Sequence, residues 1–163
     1  MSVNRYLPHV LVFPEDDANR QLATGFLLHP QVRASQIHIV PEAGGWAGVR
    51  NRFISDHVAG MRNFPERSAI FLVDFDQDEN RIHHVCAGIP KDLMDRLFVL
   101  GAWSEPEALK GAGLGSYETI GRAMAEDCHA ETDTIWGHKL LRHNASELKR
   151  LREQLCPILF LSL

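Results

Sequence analysis

Two short runs of acidic residues carry the chemistry this sequence can offer. Glu15, Asp16 and Asp17 follow the apolar segment HVLVF, and Asp74, Asp76, Asp78 and Glu79 follow the apolar segment AIFLV. Together they hold seven of the 21 acidic residues in a chain whose net charge is only −4. Carboxylates crowded at one place repel one another unless a cation lies between them. Hard oxygen ligands with room for water suit Mg²⁺ or Mn²⁺. Side chains on a strand alternate, so Asp74 and Asp76 are expected to point the same way across Phe75 and to share a cation. Asp78 or Glu79 would add a ligand directly or through water. Glu15 either completes the metal site or stays unligated and moves a proton. Asp17 is expected to cap the helix that follows it, which leaves Asp16 as a ligand or a surface acid. The plainer alternative for either run is a solvated acidic turn.

The elements that must position these acids alternate between short apolar runs and helical spacings. Strands are predicted at 9–13, 36–40, 69–73 and 98–100, with a further short one at 82–85. The spacing of Ala18, Leu22 and Phe26 predicts a helix stopped by His29-Pro30. Val49, Phe53, Val58 and Met61 mark a second helix ending near Pro65, and residues 90–97 read as helical. Gly115-Ser116 opens a helix running through Cys128, and Asn144-Ala-Ser-Glu147 reads as a capping box before Leu148, Leu151 and Leu155. The apolar tail from Pro157 to Leu163 reads as a terminal buried strand or a docking segment. Strands alternating with helices predict an α/β fold with a largely parallel central sheet. Ligands bind beyond the C-terminal strand ends of such sheets, and both acidic runs fall there.

Other residues offer supporting roles. The turn Gly44-Gly45-Trp46 opens a helix, so it is either a plain turn or a place where backbone amides approach a phosphate. Arg50, Arg52 and Arg142, with Lys149, Arg150 and Arg152, are the candidate phosphate contacts, or else solvated helix faces. Trp46, Trp103 and Trp136 are expected to pack rather than stack on bases. The nine histidines and three cysteines form no zinc-finger pattern, because no CxxC pair exists.

The layout of Glu15 in LVFPED with Asp74, Asp76 and Asp78 in LVDFDQD resembles the TOPRIM domain of topoisomerases, bacterial primases and several nucleases. The subgroup it is most similar to is the TOPRIM part of OLD-family (overcoming lysogenization defect) nucleases. There, IHIVPEAGGWAGV resembles the turn before the second helix. FVLGAWSEPEALK resembles a later acidic motif through Glu105 and Glu107, and Lys139 in WGHKLLRHN resembles a downstream lysine. The resemblance departs in two places: Glu15 is followed by Asp16 rather than glycine, and the N-terminal ATPase of OLD proteins is missing. It implies a Rossmannoid three-layer sandwich in which one or two Mg²⁺ or Mn²⁺ ions are held by Glu15, Asp74, Asp76 and Glu105 or Glu107. Lys139 would stabilise developing charge while a phosphodiester of DNA or RNA is hydrolysed. Glu105 and Glu107 are equally readable as first-turn acids that favour a helix dipole.

At 163 residues, with 45% apolar and 23% charged residues, the chain is expected to be one globular domain over 1–163. Three scattered cysteines, no signal-peptide pattern and no membrane-length apolar run predict a cytoplasmic protein rather than a secreted or membrane one. Nucleic-acid binding by bulk charge alone calls for a basic chain. The acidic balance therefore points to a partner, an ATPase or a second copy of the chain, that holds the nucleic acid. Three functions remain open: a metal-dependent nuclease, a receiver-like phosphoacceptor built on Asp16, Asp17 and Asp74, and a non-catalytic partner subunit.

Overall fold

The computed structural model describes residues 3–161. Strands β1 (His9–Pro14), β2 (Ile37–Ile39), β3 (Arg67–Leu72) and β4 (Leu97–Leu100) form one sheet of order β2-β1-β3-β4 with every neighbouring pair parallel. Helices α1 (Asp17–Leu27), α2 (Trp46–Asp56), α3 (Val58–Asn63), α4 (Arg81–Cys86), α5 (Pro106–Gly111), α6 (Tyr117–Ala130), α7 (Ala145–Gln154) and α8 (Cys156–Leu159) flank it. The result is a Rossmann-like three-layer α/β fold, as the alternation of elements predicts. Among the described residues no helix is long and apolar enough to cross a membrane.

Strand alternation sorts the core into two halves. Val10, Val12, Ile70, Leu72, Phe98 and Leu100 face α1, α6, α7 and α8. Leu11, Phe13, Ala69, Phe71, Val73, Leu97 and Val99 face α2, α3 and α4. Phe13, Phe53 and Phe71 meet edge-to-face at 5.2–5.6 Å and fix the centre of the second half. With both faces covered, the strands read as continuous apolar runs, which is why they were visible in the sequence.

Several elements differ from expectation. Residues 82–85 are not a strand but lie in α4. Ile82 and Val85 are three apart, on one helical face against the second core half, and a short apolar run does not distinguish that from a strand. The expected single helix from Val49 to Met61 breaks at His57, whose ring packs 4.8 Å from Phe13. Residues Lys91–Arg96 form a 3-10 helix. The tail turns helical in α8, and Phe160 makes only an isolated antiparallel bridge to Val32. The last two residues of the expected tail strand lie outside the described residues.

The expected capping box is used differently. Asn144 is the N-cap residue of α7, as expected, but neither its side chain nor that of Glu147 makes a capping bond; both turn to the open edge of β4. Asn144 Nδ2 donates to the Gly101 carbonyl (3.0 Å) and Gly101 N donates back to Asn144 Oδ1 (3.2 Å). Val99 N donates to Glu147 Oε1 (3.2 Å), and Arg150 Nη1 donates to the Leu97 carbonyl (3.2 Å). One face of α7 thus supplies the bonds a fifth strand would have made and covers an edge that would otherwise invite pairing. Replacing Asn144 by alanine leaves both polar groups of Gly101 without these partners. It is expected to destabilise the protein by about 1–3 kcal/mol, read as a lower urea midpoint at unchanged slope. An unchanged midpoint would mean that α7 contributes apolar packing alone.

Candidate metal centre

The candidate site lies at the C-terminal rim of the sheet, where β1 and β3 end side by side. Pro14 is in register with Leu72, so the next residues emerge together. Glu15 N continues the ladder to the Leu72 carbonyl (3.0 Å), and Glu15 Oε1 accepts from Asp74 N at 2.6 Å. Asp16, not Asp17, is the N-cap of α1: its Oδ1 accepts from Asn19 N and Asn19 Nδ2, both at 2.9 Å. Asp17 lies one residue inside the helix, exposed and paired with Arg20 and Gln21. Asn19 Nδ2 also donates to Asp74 Oδ1 at 2.8 Å.

These bonds bring Glu15, Asp16 and Asp74 together, with one carboxylate oxygen of each within 4.8 Å of the others. Among the described residues this is the one group of three such side chains that could hold a metal ion. In each acid one oxygen is anchored by an N–H group, while the second takes no hydrogen bond from the described residues. An all-oxygen set of this kind fits a hard divalent cation. Burial raises the pKa of Glu15 above its ordinary value, against the opposing bond from the Asp74 amide; neighbouring Asp16 and Asp76 push the same way. Burial pushes Asp74 up to about 7, with the Asn19 bond opposing and Glu15, Asp16 and Asp76 adding repulsion. A cation would relieve both burdens.

Asp76 and Asp78 do not join this group. The strand ends at Leu72, and Asp76 and Gln77 take left-handed backbone at φ 49° and 59°, so strand alternation does not carry across Phe75. Residues 75–77 run beside 102–104 instead: Phe75 N donates to Ala102 O, Asp76 N to Ser104 O and Gln77 N to Trp103 O. Asp76 pairs with the buried Arg81 at 2.8 Å. Asp78 accepts from Asn80 N at 2.8 Å and lies 3.1 Å from His84 Nδ1. Glu105 is the N-cap residue of α5 and Glu107 lies in its first turn, without side-chain capping bonds. Helix α5 follows the C-terminal end of β4, so both acids stand on the rim side of the sheet, outside the group of three. Burial raises the pKa of Tyr117, with repulsion from Glu107, Asp16, Glu105 and Asp74 adding to it.

The expected phosphate contacts are mostly engaged elsewhere. Gly44 and Gly45, with φ of 76° and 115°, donate their amides to the Glu15 carbonyl at 3.0 and 3.1 Å. The glycine turn therefore positions Glu15. Arg50 donates to the His84 carbonyl and lies over the ring of Trp46, on which Arg81 also lies. Arg52 holds the carbonyls of Pro41 and Glu42. Arg142 is exposed beside Lys149 and Arg152 in a surface groove. Lys139 is exposed, and its neighbour Leu140 accepts from Trp103 N at 2.8 Å, which brings the lysine's loop to the rim. Lys139 makes no ion pair or side-chain hydrogen bond among the described residues.

Sequence reasoning left Asp16 undecided and missed Asn19 and Arg81. Asp16 and Asp17 are both cap-type residues before the first turn of α1, and nothing in their spacing chose between them. Nothing local marked Asn19 as a partner of Asp74, 55 residues away. No family model, no curated protein and no solved structure matches this chain.

The raised Asp74 pKa makes the site a burden on stability. A carboxyl whose folded pKa exceeds its ordinary value of 3.8 favours folding most below that value. The contribution is lost as pH rises through about 7. At pH 8 without divalent ions, Asp74→Asn is therefore expected to melt higher than the natural protein. Added Mg²⁺ should raise the melting temperature of the natural protein and leave the variant nearly unmoved. A variant that melts lower at pH 8 would show that the carboxylate is not under strain.

Proposed function

We propose that the protein is a divalent-metal-dependent nuclease of TOPRIM type, similar to the OLD nucleases, that hydrolyses phosphodiesters of DNA or RNA. The observation that supports this reading above the others is the meeting of Glu15, Asp16 and Asp74 at the C-terminal rim of a parallel sheet. Mg²⁺ or Mn²⁺ bound there supplies Lewis-acid polarisation of the phosphodiester and a more acidic water. In this reading Glu15 and Asp74 hold the cation with Asp16 in place of Asp76. Glu105 and Glu107 stand on the same rim side of the sheet, where a second cation would sit. Lys139 is the group that stabilises negative charge developing on the phosphate. Arg142 and Lys149 offer exposed cations for the nucleic-acid strand, while Arg152 in the same groove is paired with Asp133. With net charge −4, grip comes from a partner, either an ATPase in a defence complex or a second copy of this chain.

The test is cleavage of end-labelled DNA and RNA with Mg²⁺ or Mn²⁺, alone and after chelation. Activity is expected to need the cation and to fall at least about 100-fold in Glu15→Gln and Asp74→Asn. Loss of a direct ligand should cost no less than the 10–100-fold typical of an outer-shell partner. Cleavage that survives chelation, or that is undiminished in Asp74→Asn, overturns the proposal.

A further inference from the structure

Asn19 is fully buried, and its single NH₂ group lies 2.9 Å from Asp16 Oδ1 and 2.8 Å from Asp74 Oδ1. It donates one hydrogen to each of two acids in the group of three. The cap of α1 does not need this side chain, because Asn19 N already donates to Asp16 Oδ1 at 2.9 Å. Any residue but proline at position 19 would preserve that bond. The carbonyl oxygen of the same amide is buried and has no hydrogen-bond partner. Buried acceptors are rarely left so, and this one belongs to a planar group whose other end is fixed on the acidic cluster.

We infer that Asn19 is a positioning residue of the cation site: its NH₂ group holds one oxygen each of Asp16 and Asp74, leaving their other oxygens for the cation, and its carbonyl oxygen accepts from a cation-bound water. The inference rests on the metal reading of the acidic group. Mg²⁺ and its relatives keep several waters when bound, so a buried acceptor beside the ligands has a donor once the cation is present. The NH₂ group also sets the two carboxylates in place beforehand, which is how residues outside the ligand shell tune affinity. Asn19 is a positioning residue and not a catalytic one, since it touches ligands and water rather than the reacting phosphate.

The test measures Mn²⁺ binding, by the loss of the free-ion electron paramagnetic resonance signal, and thermal unfolding with and without Mn²⁺. The proteins are the natural chain, Asn19→Ala and Asn19→Asp. Asn19→Ala is expected to bind Mn²⁺ about 10–100-fold more weakly while keeping its circular dichroism spectrum. Asn19→Asp places a carboxylate where two hydrogens were donated. It should melt well below the natural chain without Mn²⁺ and recover more on Mn²⁺ addition than the natural chain gains. Natural Mn²⁺ affinity in folded Asn19→Ala overturns the inference. If Asn19→Ala does not fold, the Asn19→Asp melts decide: an equal deficit with and without Mn²⁺ marks a purely structural amide and overturns it. A natural chain that binds no Mn²⁺ overturns the metal reading itself, and the inference with it.

Discussion

The amide of Asp74 donates to Glu15 Oε1 at 2.6 Å, and much of the rim is arranged around that bond. It extends the β1–β3 pairing by one side-chain link past the last ladder bond, from Glu15 N to the Leu72 carbonyl. Glu15 is held at both ends: its carboxylate by Asp74, its carbonyl by the Gly44 and Gly45 amides. The β1 end, the β3 end and the start of α2 therefore share one residue. Two buried acids beside a third are an electrostatic debt for the fold, and the raised pKa of both Glu15 and Asp74 expresses it. Proteins place such unfavourable groups where function needs them.

The rim tolerates this load because what lies beneath it is rigid. Both faces of the sheet are packed, and the chain past β3 stays bonded to the chain past β4 as far as Gln77. Gly101 makes that approach possible. A Cβ there would lie 1.6 Å from the Val73 carbonyl oxygen, so only glycine lets the two segments run this close. The open edge of β4 is covered by polar side chains of α7 rather than by a strand. Fixed strands deliver fixed rim residues, and a site for a small hard cation depends on ligands that do not have to be gathered at the moment of binding.

The charge balance also follows from how the arginines are used. Arg52 holds Pro41 and Glu42, Arg96 holds Met61, Phe64 and Arg67, and Arg150 holds Leu97, Met94 and Asp95, all through main-chain carbonyls. These cations serve the fold. A net charge of −4 consequently understates how little basic surface remains for a polyanion, and the proposed nuclease reading therefore calls for an added partner.

Much of the fold was legible in the sequence because its physical cause is local. Strands buried on both faces must be apolar throughout, so HVLVF and AIFLV announce themselves, and the acids after them fall at the rim of a parallel sheet. The identity of the cluster was only half legible. Glu15 and Asp74 follow from strand ends. Asp76 was expected to join them because alternation was extended past the point where the strand stops. A left-handed turn and the pull of Arg81 removed it. Tertiary structure alone decided the third acid and its support. Asp16 enters through the cap of α1, and Asn19 reaches Asp74 across 55 residues. Composition and spacing record which residues can bear charge or lie buried. Which carboxylates share one space depends on where two strands end beside each other, and that is fixed by long-range pairing.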